Sequence, residues 1–150
     1  MTDPASRAAL AGTLWAHLFP AVPRSFPWRR SVRTLLRAAH ILSGGILVGG
    51  VLFDQPPEAL TPWVHGMLIS GFLLLATDLY ASCAILCEVR GASVLAKLGL
   101  TALVPIFRDA RLELLIAALL LGAVSSHMPG RYRHYVLFLR GRIAPDTRRG

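Results

Sequence analysis

Four long apolar stretches, at 32–53, 62–89, 92–107 and 112–128, are separated only by short polar turns, and this pattern limits the chain to very few folds. A helix needs roughly 20 apolar residues to cross a hydrocarbon core about 30 Å thick, and 92–107 is close to the minimum. It carries Lys97 and Pro105, so a tilted, kinked or re-entrant path is the alternative to a full crossing there. Only 16% of the residues are charged and 54% are hydrophobic, where an ordinary soluble domain is about a quarter charged. The expected fold class is all-α, an integral membrane four-helix bundle with a short N-terminal interfacial helix. One bundle uses up the length. The expected organisation is an N-terminal helix and Pro/Arg linker over 1–31, the bundle over 32–128, and a basic tail over 129–150.

The net charge of +8 would point to nucleic acid in a soluble protein, but the positions of the charges decide otherwise. Arg24, Arg29, Arg30, Arg33 and Arg37 precede or open the first stretch, and Arg131, Arg133, Arg140 and Arg142 follow the last. Such flanks hold membrane helices with their basic side inward, against anionic head groups. The partner expected from charge is therefore a lipid bilayer, with no nucleic acid. The expected location is the inner (plasma) membrane, multi-pass, with both termini cytoplasmic. That parity needs an even number of spans, which favours a crossing at 92–107. The acidic turn at Asp54 to Glu58 then faces away from the cytoplasm.

The N-terminal stretch is short, barely preceded by positive charge and followed by Pro20, Pro23 and Pro27, so a retained segment is expected and not a cleaved signal. Asp3 and Pro4 read as the cap and first residue of the interfacial helix, which Pro20 ends. Trp28 is placed at head-group level.

An ionisable group inside an apolar stretch costs about 2.5–3.5 kcal/mol on insertion scales, so such groups usually face the bundle interior. The candidates are His40, His65, Asp78, Lys97 and His127. Counted at 1.5 Å per residue from the cytoplasmic ends, His40 lies roughly 5–8 Å deep, Lys97 about 9 Å, His127 about 3 Å and Asp78 about 16 Å. Two imidazoles from different helices at similar depth suit a b-type haem, whose iron takes axial ligands from opposite faces. His40 and His127 are the expected pair. Copper is the other metal reading, through His40, His127, Met128 and the Cys83/Cys87 pair, whose i, i+4 spacing puts both sulfurs on one helix face. Asp78 and Lys97 form a candidate intramembrane charged pair, as mutual neutralisation or as a proton relay. Gly44, Gly45, Gly49 and Gly50 make a small-residue face for close helix packing, with Gly45 and Gly49 as its small-xxx-small pair.

The stretch Leu36-Arg37-Ala38-Ala39-His40-Ile41-Leu42, followed by Gly44-Gly45, resembles the first helix of the copper-resistance D-type (CopD-like) membrane proteins. More loosely it resembles the HemJ-type haem-binding protoporphyrinogen oxidases. The resemblance covers about one helix, and beyond it rests on topology. It implies a small polytopic membrane protein in which His40 is the matching metal or haem position, with Lys97 a looser match. The functional expectation is a small membrane protein binding haem b or copper for metal or electron handling. A scaffold or assembly subunit of a larger membrane complex, or a homo-oligomer, is the alternative. No nucleophile triad, Gly-rich phosphate loop or zinc-type Cys/His spacing is present, so the expectation leans against an enzyme.

Overall fold

A computed structural model describes residues 12–129, 132 and 135–137. The elements within these residues are helical, apart from one isolated antiparallel bridge between Glu88 and Val136. A short helix at 12–18 (α1) is followed by α2, Arg29–Leu52, and α3, Pro57–Ala81. A 3₁₀ turn, Cys83–Cys87, leads into α4, Val89–Leu103, and a second 3₁₀ turn, Arg108–Ala110, into α5, Arg111–His127. The expected cap at Asp3 and Pro4 and the arginines of the tail lie outside the described residues.

Three segments are long and apolar enough to cross a membrane: Arg29–Leu52, Pro57–Ala81 and Arg108–His127. The fourth helix, α4, has 15 residues, or about 22 Å at 1.5 Å per residue. The sequence pattern carries the second apolar run to residue 89, but the α-helix stops at Ala81. Ser82 turns extended there, and its side chain accepts a hydrogen bond from Ala84 N to start the 3₁₀ turn. Hydropathy does not register this break, because Ala84, Ile85 and Leu86 are as apolar as the helix before them.

The two longest helices pair antiparallel along a regular seam. Positions 33, 36, 40, 43, 47 and 50 of α2 are the more protected ones, alternating steps of three and four as in left-handed supercoiled packing. Across from them on α3 stand Asp78 for Arg33, Gly71 for His40, Gly66 for Ser43 and Leu60 for Gly50. Small and polar residues suit this seam, because helices in lipid associate through close packing and hydrogen bonds and not through exclusion of water. Ser43, Leu47, Gly50 and Ser70 are buried along it.

Polar contacts define two ends. At one, Arg24 N donates to Ala81 O, Val89 N to Tyr135 O and Leu137 N to Cys87 O. The segment before α2, the α3–α4 connection and the segment after α5 therefore meet there. At the other end Arg111 pairs with Asp54 at 3.1 Å, bringing the α4–α5 turn to the α2–α3 turn. The helices run alternately between these ends as two hairpins, α2 with α3 and α4 with α5, joined where α2 packs on α5.

The surface is the reverse of a soluble domain's. Ile41, Leu42, Ile69, Phe72, Leu120 and Val124 are exposed, while the buried apolar set is small and includes Leu47, Ile85 and Leu115. Exposed apolar faces of this extent mark contact with lipid or with another protein.

Candidate functional site

His40 is the best-positioned of the residues singled out by the sequence. Its Nδ1 lies 3.0 Å from Met67 O and 3.2 Å from Ser70 Oγ. A carbonyl only accepts, so Nδ1 carries the proton and Nε2 keeps its lone pair. Ser70 supports the same assignment: its hydroxyl donates to Gly66 O at 2.6 Å, leaving its oxygen to accept from the imidazole. A ring held through Nδ1–H on a main-chain carbonyl, with Nε2 in reserve, is how ligating histidines are commonly oriented. Gly71 makes room for it, because a Cβ there would lie 3.0 Å from His40 Cε1.

The charged groups separate differently from the expected pair. The Asp78 carboxylate is engaged by Arg33 and lies 3.9 Å from Arg29, one turn earlier on α2. Its partners are thus arginines from the face that carries His40, seven residues beyond Arg33, and Lys97 is not among them. The reason is the register of the seam, which sets Asp78 level with the start of α2. Lys97 instead lies over α5, where a Cβ added at Gly122 would stand 3.6 Å from its Cδ and 3.9 Å from its Nζ. No carboxylate among the described residues pairs with it. Held in hydrocarbon without one, a lysine carries the insertion cost of about 2.5–3.5 kcal/mol.

The copper set is not brought together. Cys83 and Cys87 are free thiols on the 3₁₀ turn. At three residues per turn, an i, i+4 pair is rotated by about a third of a turn, so the two sulfurs do not share the face that an α-helix would give them. Burial pushes the Cys87 thiol up, and the neighbouring Glu88 carboxylate and Cys83 add to the shift, which disfavours the thiolate a metal would need. His127 and Met128 sit at the end of α5, and His65 is exposed near the opposite end. Among the described residues no three His, Cys, Asp or Glu side chains gather as a metal-holding group. His40 and His127 nevertheless stand at comparable heights on neighbouring helices, about 20 Å and 24 Å from the Asp54–Arg111 end by residue count.

The glycine face is also redistributed. Gly50 meets Leu60, where an added Cβ would fall 2.2 Å from Cδ2, and Gly44 is near Met67. Gly45 and Gly49 face open space, so the small-xxx-small pair is not the α2–α3 contact. The tightest approach lies at Gly91, where a Cβ would be 2.0 Å from Ile85 O.

Sequence reasoning missed Met67, Ser70 and Gly71 as the setting of His40, and Arg29 and Arg33 as partners of Asp78. One signal was available: Arg29, Arg33 and His40 recur at steps of four and seven, which places them on one helix face. Glu88, which falls within the apolar stretch 62–89, is wholly buried and 3.4 Å from Arg90. No family model, curated protein or solved structure matches this chain.

Proposed function

We propose that this chain is a four-spanning inner-membrane protein with both termini cytoplasmic, and that it uses His40 as an axial ligand to haem b for electron or metal handling. The observation that carries the reading is the imidazole itself, fixed through Nδ1 by Met67 O and Ser70 with Nε2 kept for a ligand. His127, at similar height on the adjacent α5, is the proposed second ligand. The split of the cysteines from His40, and the protonated state favoured at Cys87, argue for imidazole ligation over a mixed copper site.

Four spans follow from treating the two ends as two membrane faces. The Asp54–Arg111 pair and the contacts of Arg24 and Tyr135 with the α3–α4 connection require α4 to run from one end to the other. At about 22 Å α4 crosses where the bilayer thins or side chains such as Lys97 reach toward the head groups. The arginines gathered at the Arg24 end orient that end to the cytoplasm.

The test is a pyridine haemochrome assay with elemental analysis on protein purified in mild detergent, beside reporter fusions in each turn. One haem b per chain, with cytoplasmic signal only from the 82–91 turn and the termini, supports the reading. A folded protein with neither haem nor metal contradicts the ligand assignment, and a periplasmic 82–91 turn contradicts the topology.

A further inference from the structure

Lys97 is left over once every described ion pair is assigned. Asp78 belongs to Arg33 and Arg29, Glu88 to Arg90 and Asp54 to Arg111. Thr101 bonds the main-chain oxygen of Lys97, and nothing described accepts from its ammonium. The side chain is not driven out to bulk solvent, because its stem lies along α5 over Gly122, whose missing side chain provides the groove. α4 packs chiefly on α5 and the 3₁₀ turn, so its flank toward α2 and α3 carries no extensive helix seam among the described residues.

An ammonium with no carboxylate partner among the described residues, on a helix whose Leu95 and Leu98 are exposed, fits one class of ligand, an acidic head group on an acyl chain. We propose that Lys97 anchors a lateral site for an anionic amphiphile, its carboxylate or phosphate on Nζ and its chain along the exposed face of α4 at Leu95 and Leu98. The site does not depend on haem at His40. The acid replaces the missing protein counter-ion, and the Gly122 groove sets the position of the ammonium.

Native mass spectrometry on the full chain tests this, after exchange into a delipidating detergent and addition of one probe at a time: oleate, phosphatidylglycerol or phosphatidylcholine. The wild type is expected to retain one acidic probe per chain at least tenfold more than phosphatidylcholine, and oleate against phosphatidylglycerol tells which head group is preferred. Lys97→Ala is expected to lose that selectivity and Lys97→Arg to keep it. Gly122→Leu, which fills the groove but keeps the charge, is expected to weaken retention at least severalfold and serves if Lys97→Ala does not fold. His40→Ala is expected to retain the acidic probe like wild type, which separates this site from the haem reading. Equal retention of acidic and zwitterionic probes by the wild type, or acidic retention unchanged in both Lys97→Ala and Gly122→Leu, overturns the proposal.

Discussion

Replacing Asp78 with Leu removes a carboxylate that Arg33 and Arg29 share. The Asp78 and Arg33 side chains are each 13% exposed, so the pair is largely desolvated. Breaking a buried pair from one side costs about 3–5 kcal/mol, because the remaining charge is stranded. Residual exposure at the helix end allows Arg33 to reach head groups, which brings the expected loss to about 3 kcal/mol. Removing both partners with Asp78→Leu/Arg33→Leu leaves Arg29, which sits farther from Asp78 and is more exposed. The double variant is therefore expected to recover about 2 kcal/mol of coupling relative to the sum of the single losses. The assay is reversible unfolding in mixed micelles with increasing SDS, followed by far-UV circular dichroism. The same cycle with Lys97→Leu in place of Arg33→Leu is expected to be additive within about 0.5 kcal/mol. Strong coupling of Asp78 to Lys97, with none to Arg33, refutes the register on which the α2–α3 seam is built.

The glycines give a graded series in the same assay. Gly91→Ala forces a Cβ onto the Ile85 backbone and is expected to cost about 3 kcal/mol or more. Gly50→Ala meets only the end of the Leu60 side chain and is expected to cost about 1 kcal/mol, while Gly45→Ala and Gly49→Ala are expected to be neutral or to stabilise by up to about 1 kcal/mol. Because the Cys87 thiol is pushed up, its alkylation in a Cys83→Ser background is expected to be slower at pH 8 than that of a free thiol and to rise with pH. Glu88→Gln removes one cause of that shift and is expected to quicken the reaction severalfold at pH 8, read by mass spectrometry. The exposed Asp54–Arg111 pair is expected to contribute little, so Asp54→Asn changes stability by less than about 0.5 kcal/mol.

The all-helical class and the three long apolar helices were legible because apolar length shows directly in the sequence. The boundaries of α2 and α5 lie within three residues of those read from the apolar runs. The 3₁₀ break after Ala81 was not legible, since it depends on how Ser82 and Gly91 let the backbone turn on itself and leaves no mark in hydropathy. The polar residues inside apolar runs could be singled out in the sequence, but their pairing depends on helix register. Asp78 could find Lys97 or an arginine with equal chemical sense, and only the antiparallel alignment of α2 with α3 gives it to Arg33. The setting of His40 escaped for the same reason: Ser70 and Met67 O are thirty and twenty-seven residues away in sequence and meet it only across the seam.

The ligand role of His40 is tested most simply by the dithionite-reduced minus oxidised absorbance spectrum of the purified wild type beside His40→Ala. Cells are to be supplied with excess haem precursor, and circular dichroism is to show both proteins folded. A Soret and α-band pair is expected in the wild type and is expected to be lost or strongly shifted in the variant. Spectra that are identical in the two proteins, coloured or colourless, contradict that role.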